Sequence, residues 1–268
     1  MRTAVLSAKI ATSASIAQAL PTPSPLGKVE QRVGLTDISV EYSRPSMKGR
    51  KIFGDLVPYG EVWRTGANRA TIISLSSAVV LEGEKLAPGK YALFTLPAEG
   101  KWQVILNSDT NLWGAYDRKP DLDVFTVTIA PSSCAATETF TIEFADVKDD
   151  KASLILRWES TAVTLHIEAD ATELAMANIK TALAKPDADY RAYSRSAQFC
   201  LDRKMDPAQA LEWAVKGVKL QAKYWNTFTL AQAYFATGDE AVKLAEAEKD
   251  SGAVKNYTAR IAEWEAKP

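Results

Sequence analysis

The densest set of reactive side chains in this sequence lies in PYGEVWRTGANRAT, residues 58–71. There a carboxylate, Glu61, and a guanidinium, Arg64, flank the indole of Trp63. A carboxylate can act as a general base, and a guanidinium can hold a carboxylate, phosphate or sulfate through paired hydrogen bonds. An indole can stack on a sugar or on an aromatic ring. These residue types indicate a binding site, a catalytic site or a structural ion pair.

Basic residues are concentrated in this stretch and just before it. Residues 44–69 contain six basic and two acidic residues, a local net charge of +4, whereas the whole chain of 268 residues carries −1. A positive excess on a glycine-rich connection favours anion binding. A second loop, NSDTNLWGAYDRKPDLD, carries Trp113 and Tyr116. This loop either lines the same predicted binding site, or Trp113 only anchors the loop to the domain. The predicted ligand-binding residues are Arg44, Lys48, Glu61, Trp63, Arg64, Asn68 and Trp113.

The same residues allow two other interpretations. In a structural interpretation, Glu61 pairs with Arg64, the aromatic residues close one end of a β core, and the glycines supply turn geometry. In an enzymatic interpretation, Glu61 is the general base of a metal-independent hydrolase or lyase, and Arg44 and Arg64 stabilise an oxyanion. The enzymatic interpretation requires Glu61 to be exposed in a cleft and not held by Arg64.

Several classes of chemistry lack their usual motifs. Phosphate-binding and dinucleotide-binding glycine motifs do not occur, and Cys134 and Cys200, which either pair or stay free, lack metal-site spacing. His166, the one histidine, falls on the polar face of a predicted strand and is expected at the surface. We predict no metal, no cofactor and, from the near-neutral charge, no nucleic-acid partner. No apolar run reaches the roughly 18–20 residues that span a bilayer.

The middle of the chain has the pattern of β-strands. From residue 34 to about residue 169, short segments rich in β-branched and aromatic residues are bounded by Gly, Pro, Asp, Asn or Ser. They include GKWQVILN and DVFTVTIA, and ASLILRWES and TAVTLHIEAD are predicted as two separate strands. DVKDDKAS is expected to be a hairpin connection. About eight strands without intervening helices predict an antiparallel β-sandwich or barrel-like domain over residues 28–169.

Residues 170–268 have the period of α-helices. Two helix starts with capping boxes are predicted here. The first is marked by Asp170 and Glu173, and the second by Asp206, Pro207 and Gln209. The pattern predicts an all-α region that follows the β domain as a separate part.

This helical region also repeats. Similar segments begin at Ala197 and at Ala231, 34 residues later, which is the period of tetratricopeptide-like helical hairpins. About two copies are fewer than the three usually needed for stability, so the region is expected to pack on the β domain or on a partner. Five aromatic residues are expected between the helices, with a peptide-binding groove as the alternative: Tyr224, Trp225, Phe228, Tyr234 and Phe235.

The N-terminal residues resemble an export signal. Residues 1–19 begin with a basic residue, continue with small and apolar residues interrupted by Lys9, and end in the small-x-small pattern Ala17-Gln18-Ala19. A disordered or short helical leader is the alternative. Residues 20–27, LPTPSPLG, contain three prolines and are expected to form an extended spacer. We therefore predict a signal peptide over residues 1–19 and a periplasmic or secreted protein.

Three long segments, VEYSRPSMKGRKIFGDLVPYGEVWRTGANRAT, GKYALFTLP and NLWGAYD, closely resemble the bacterial domain-of-unknown-function family 2911, which is common in Bacteroidetes. The resemblance runs from about residue 28 to about residue 169. Members often carry an export signal, and some carry tetratricopeptide-like helices after the β domain, so the resemblance implies both features here. It implies no activity, because the family has no assigned catalytic residues.

The leading functional hypothesis is a non-enzymatic binding or scaffolding protein. Its β domain would hold an anionic small molecule or a glycan, and its helices would hold a protein or peptide. The alternatives are the hydrolase or lyase that uses Glu61, and a purely structural envelope protein. In the structural case the loop cluster is buried, and Arg64→Ala lowers stability without changing binding.

Overall fold

The structure, a computed structural model, describes residues 20–237. The predicted signal peptide at residues 1–19 and the second helix of the second predicted repeat lie outside the described residues. The chain divides into two compact units between Ala171 and Thr172.

The first unit contains ten β-strands within the described residues. They are β1 (Leu26–Val33), β2 (Thr36–Ser43), β3 (Ala67–Leu75), β4 (Val79–Leu81), β5 (Glu84–Leu86), β6 (Gly89–Ala98), β7 (Lys101–Asn107), β8 (Asp123–Ile129), β9 (Ser132–Lys148) and β10 (Lys151–Glu168). A six-stranded sheet has the order β1-β2-β3-β6-β7-β8, and a four-stranded sheet has the order β5-β4-β10-β9. Every strand pairing is antiparallel.

One apolar core is shared by the two sheets. Alternate residues of each strand enter it, as Tyr91 and Leu93 of β6 do from one sheet and Leu154 and Leu156 of β10 do from the other. Each fully buried side chain of this size stabilises the fold by about 1.5–3 kcal/mol before its ordering entropy is subtracted. The predicted antiparallel β-sandwich is therefore confirmed.

The six-stranded sheet also packs on its opposite face. Ala92 and Phe94 of β6 and Ile105 of β7 point there, because successive residues of a strand alternate between faces. Leu112, from the loop that joins β7 to β8, covers them. This second, smaller cluster fixes the loop of residues 108–119 against the sheet.

β9 and β10 form one long hairpin. Lys148 pairs with Lys151 across a two-residue turn, so the predicted connection in DVKDDKAS is confirmed. The segments ASLILRWES and TAVTLHIEAD, predicted as two strands, form the single strand β10 instead. Glu159 has a φ of 57°, and the pairing register shifts on both sides of it. A β-bulge at Glu159 therefore occurs near the predicted break.

The second unit contains four helices within the described residues: α1 (Thr172–Leu183), α2 (Tyr190–Asp202), α3 (Pro207–Leu220) and α4 (Tyr224–Thr237). The predicted all-α part after the β domain is thus confirmed. α2 begins at Tyr190 and α4 begins at Tyr224, 34 positions later, which matches the repeat period of the sequence. None of these helices is both long and apolar enough to cross a membrane.

Capping residues define two of these helix starts. Asp206 caps α3 as predicted, since its carboxylate accepts a hydrogen bond of 3.0 Å from the Gln209 backbone N–H. Gln209 does not complete a capping box, because its Nε2 donates to Glu212 Oε2 at 2.9 Å. Asp189 caps α2 and accepts hydrogen bonds from two backbone N–H groups.

Alanines form the fully buried centre of the contact between α2, α3 and α4. Ala197, Ala214 and Ala233 are each fully buried in one cluster. Small side chains let helix backbones approach closely and leave large rings outside. Among the five aromatic residues predicted between the helices, Tyr234 is buried and Phe228 is half-buried. The prediction is wrong for three others, which are exposed: Tyr224, Trp225 and Phe235.

Candidate functional site

The backbone around Trp63 is held on the six-stranded sheet. Trp63 and Thr95 of β6 exchange two backbone hydrogen bonds, of 2.7 and 2.9 Å. Two residues further along, the carbonyl of Thr65 accepts a hydrogen bond of 2.5 Å from the hydroxyl of Thr71. Because these three bonds anchor the chain to β6 and β3, Trp63 and Arg64 project from a rigid segment rather than from a free loop.

Trp63 belongs to an aromatic cluster at the edge of the core. Its ring stacks on Trp158 and contacts Phe140 and Phe53 in edge-to-face geometry. Its Nε1 donates a hydrogen bond of 3.0 Å to the carbonyl of Gly66, so the polar atom of the indole is satisfied inside the protein. Trp63 is only half-buried, and its remaining surface lines a cleft.

This cleft has a volume of about 460 Å³, which is within the usual size range of small-molecule sites. Of its fourteen lining residues, three are basic and none is acidic. The lining residues are Pro23, Ser24, Pro45, Ser46, Lys48, Arg50, Leu56, Val57, Trp63, Arg64, Gly66, Ala67, Tyr116 and Trp158. The cleft is therefore a cationic concavity with an aromatic floor.

Arg64 is the cleft residue that has a buried donor without an acceptor. Within residues 20–237 its guanidinium has no ion-pair partner, and its Nε is buried without a hydrogen-bond acceptor. A buried donor without an acceptor costs about 1–3 kcal/mol, and more when the group is charged. Buried charges in proteins are normally paired. An anion in the cleft would supply the missing counter-charge.

The other two basic residues of the cleft have different surroundings. The guanidinium of Arg50 is occupied by its own turn, because Nε donates to the carbonyl of Met47 at 2.8 Å and Nη2 donates to that of Ser46 at 2.7 Å. Lys48 is exposed, and its backbone N–H donates to Glu138 Oε1 at 2.9 Å. Arg64 is therefore the guanidinium of the cleft that donates no hydrogen bond to the protein within residues 20–237.

Two predicted ligand-binding residues lie outside the cleft and bind the protein itself. Arg44 ties β2 to β9, since its Nε donates to the carbonyl of Phe140 at 3.2 Å and its Nη2 donates to Thr141 Oγ1 at 2.9 Å. Asn68 donates from Nδ2 to the carbonyl of Ser24 at 3.3 Å.

Glu61 and Trp113 also do not line the cleft. Glu61 is exposed, and in the part of the chain that the structure describes it forms no ion pair with Arg64. Trp113 is 65% exposed, and its backbone pairs with that of Arg69 in an isolated bridge. The structure thus brings together Lys48, Trp63 and Arg64 from the predicted set.

The loop of residues 108–119 supplies a part of the cleft wall beside Arg64. Tyr116 lines this wall and is 87% exposed. A methyl group on Gly114 would lie 2.9 Å from two carbons of the Tyr116 ring and 3.2 Å from Arg64 Nη1. The ring and the guanidinium therefore flank the same glycine.

The base of this loop is closed by polar contacts. Asn107 Nδ2 donates to the carbonyl of Lys119 at 2.9 Å and to Asp123 Oδ1 at 2.8 Å. Arg118 forms an ion pair with the same Asp123, and the two side chains are only 12% and 16% exposed. These contacts hold the base of the loop that carries Tyr116.

Metal ligands do not cluster anywhere in residues 20–237. His166 is exposed, as predicted, and its Nδ1 lies 2.8 Å from Glu82 Oε1. Cys134 and Cys200 are both free thiols.

Residues 24–167 match the sequence profile of a family described as "Protein of unknown function (DUF2911)". The match includes all of the lining residues of the cleft except Pro23. No curated protein and no solved structure matches the chain.

Proposed function

The chain belongs to the DUF2911 family, and we propose that its β domain binds a small anionic ligand in the cationic cleft, with Arg64 as the anchoring residue. One observation carries this proposal: the guanidinium of Arg64 has a buried Nε without an acceptor, in a cleft without an acidic lining residue. A carboxylate or another oxyanion at its terminal nitrogens would form charge-assisted hydrogen bonds, which are about twice as strong as neutral ones.

The geometry favours binding over catalysis. The enzymatic hypothesis requires Glu61 as a general base in the cleft, but Glu61 does not line it and no other lining residue is a carboxylate. A general base must lie within hydrogen-bond reach of the proton that it removes. The structural hypothesis relied on an ion pair between Glu61 and Arg64, and among the described residues that pair is absent.

Thermal unfolding of the full chain in the presence of acetate, phosphate or sulfate tests the proposal. A ligand that binds only the folded state raises its stability, by about 2.7 kcal/mol at a concentration of 100 times Kd. The midpoint of the β domain is expected to rise in the wild type and to stay unchanged in Arg64→Met.

Arg69→Met is the matched control for Arg64→Met. Arg69 belongs to the same segment, is exposed and does not line the cleft, and its replacement removes the same charge. It is expected to respond to anions like the wild type. If no anion raises the midpoint of the wild type, or if both variants respond equally, Arg64 does not anchor an anion.

We also propose that the helical unit binds a protein or peptide. The supporting observation is a groove of about 550 Å³ between α2 and α4, which is lined by the exposed residues Arg195, Tyr224 and Trp225. A photo-crosslinking residue in place of Trp225 is expected to give adducts of defined mass in cells. The same residue in place of the exposed Glu212, outside the groove, is the control. Equal labelling at both positions, or none, would reject this groove as the interaction site.

Export to the periplasm or the cell exterior is a further proposal. It is supported by the leader pattern of residues 1–19 in the sequence. Cleavage after Ala19 would leave Leu20 as the first residue of the mature protein. Cell fractionation followed by N-terminal sequencing checks this. An intact Met1 in a cytoplasmic fraction would reject it.

A further inference from the structure

We propose that the ligand of the cleft is a sugar that carries a carboxylate, and that Tyr116 recognises the sugar ring while Arg64 holds the carboxylate. This inference rests on the proposed anion binding and goes further by naming the chemical class of the ligand. It also assigns a specificity role to Tyr116.

The first step is the juxtaposition of two different groups on the cleft wall. The ring of Tyr116 and Nη1 of Arg64 flank Gly114, at 2.9 Å and 3.2 Å from the position of a methyl group there. A ligand group that contacts the terminal nitrogens of Arg64 therefore has the aromatic ring beside it. A bare acetate or sulfate would leave that ring in water, whereas a ligand with a ring next to its anionic group would use both.

The second step concerns Tyr116 itself. In the described part of the chain, its hydroxyl has no hydrogen-bond partner and its ring has no aromatic contact, and it is 87% exposed. The loop that carries it is nevertheless closed at its base by Asn107 and by the ion pair between Arg118 and Asp123. An uncovered aromatic ring with a polar tip suits a ligand that is partly apolar and partly polar. The C–H face of a sugar ring and its hydroxyl groups have this character.

The third step separates a carboxylate from a phosphate or sulfate. Within residues 20–237, Arg64 is the cleft guanidinium that donates no hydrogen bond to the protein, whereas that of Arg50 already donates to two backbone carbonyls. Lys48 is exposed and adds a point charge without the paired donors of a guanidinium. A single planar guanidinium matches a singly charged, planar carboxylate, whereas a dianionic group calls for further donors. Ser24 and Ser46 in the lining add hydroxyl groups, which suit a sugar better than a wholly apolar aromatic acid.

Calorimetric titration of the full chain with five probes tests this inference. The probes are D-glucuronate, D-glucose, acetate, sulfate and benzoate. Glucuronate is expected to bind at least tenfold more tightly than acetate or sulfate, and glucose is expected to show no binding. Tyr116→Ala is expected to weaken glucuronate binding at least tenfold and to leave acetate binding within twofold.

Tyr59→Ala is the matched control, because Tyr59 is also an exposed tyrosine on a loop of this unit but does not line the cleft. It is expected to bind every probe like the wild type. Tyr116→Trp, which restores an aromatic face, is expected to recover glucuronate binding. Circular dichroism of each variant verifies that it is folded.

The outcomes separate this inference from the proposed function. If acetate or sulfate binds as tightly as glucuronate, or if Tyr116→Ala binds glucuronate normally, the sugar assignment is wrong and anion binding stands. If benzoate binds more tightly than glucuronate, the ligand is an aromatic acid and the sugar assignment is again wrong. If Arg64→Met binds acetate and glucuronate like the wild type, both proposals fail.

Discussion

Trp63 stacks on Trp158 beneath the cleft, with ring centroids 5.7 Å apart and ring planes inclined by 20°. Trp158 lies on β10 of the four-stranded sheet, and Trp63 is hydrogen-bonded to Thr95 of the six-stranded sheet. The stack therefore joins the two sheets at the edge of their shared core. The floor of the cleft is a part of the core, so a ligand would bind to a preformed surface.

We expect Trp158→Ala to lower the free energy of unfolding by about 3–5 kcal/mol, the usual cost of truncating a buried Trp. Trp158 is 2% exposed, and its Nε1 donates to the carbonyl of Glu138 at 3.2 Å, so both packing and a hydrogen bond are lost. Equilibrium urea unfolding followed by circular dichroism measures this cost. Trp113→Ala is the control, because Trp113 is 65% exposed, and a change within about 0.5 kcal/mol is expected there. Equal losses in the two variants would contradict the assigned role of the stack.

We expect Arg64→Met to leave the stability of the free protein unchanged or to raise it by about 1 kcal/mol. The substitution removes a buried N–H without an acceptor and keeps an unbranched apolar side chain in its place. Urea unfolding without added anions measures the change. If Arg64 is instead a structural lock of the segment, the variant unfolds at a lower urea concentration.

Arg118→Met provides the comparison for Arg64→Met. Arg118 is paired with Asp123 in largely buried surroundings, and Asp123 would be left without its cation. Breaking a buried pair costs about 3–5 kcal/mol. If Arg64→Met lowers the free energy of unfolding by as much as Arg118→Met does, both arginines are structural. The anion-binding proposal would then lose its basis.

The sequence indicated most strands, but it gave no sign of β1. In β1, LGKVEQRV, only Val33 is buried, and the other positions are exposed or half-buried. An edge strand with charged side chains lacks the apolar alternation by which strands are recognised. β1 also begins at Leu26, so the last two residues of the predicted spacer form sheet hydrogen bonds with β2. Pairing with a neighbour, rather than local preference, creates this strand.

The composition of the cleft was predictable where its residues are close in sequence. Lys48, Trp63 and Arg64 lie within one charged segment, whereas Trp158 comes from a distant strand whose pairing no local pattern reveals. The role of Arg44 was not predictable either, because its acceptor is the carbonyl of Phe140, 96 residues away. Composition shows which guanidinium groups exist, but only the fold shows which of them lack an acceptor.

We expect Gly114→Ala to destabilise the protein and to weaken anion binding. Gly114 has a φ of +80°, which costs an L residue about 1–2 kcal/mol, and a methyl group there would press on both Tyr116 and Arg64. Gly49→Ala is the matched control, since Gly49 has a φ of +74° but no atom within 4 Å of the added methyl group. Urea unfolding and acetate titration of both variants separate the backbone cost from the contact. If the two variants behave alike, the close approach at Gly114 has no effect on the cleft.

We expect one of the two thiols to react in the folded protein. Burial raises the pKa of the Cys200 thiol, which is 1% exposed, and the reactive species is the thiolate. Cys134 is half-buried on β9 and is expected to react first with a disulfide reagent. The chromophore released by the reagent should amount to one equivalent per chain in the native protein and two per chain after unfolding. Native Cys134→Ser should release none. Rapid labelling of native Cys134→Ser would contradict the burial of Cys200.

We expect the helical unit to lose stability in acid through the cap of α2. The carboxylate of Asp189 accepts hydrogen bonds of 3.0 Å from the backbone N–H groups of Ala192 and Arg191, and the bond from Ala192 is the main cause that lowers its pKa below the ordinary 3.8. Because the folded state has the lower pKa, the cap stabilises the helix fully above the unfolded pKa. That contribution is lost as the pH falls through the folded pKa.

Asp189→Ala should therefore lower the thermal midpoint of the helical signal at pH 7, since it removes the acceptor of both hydrogen bonds. The difference in thermal midpoint between Asp189→Ala and the wild type should narrow as the pH falls below about 4. Asp189→Asn keeps an acceptor but cannot ionise, so its midpoint should lack the part of the acid dependence that Asp189 contributes. Circular dichroism melts of the three proteins between neutral and acid pH measure these differences. A gap between wild type and Asp189→Ala that stays constant over this range would show that the charge of Asp189 does not stabilise α2.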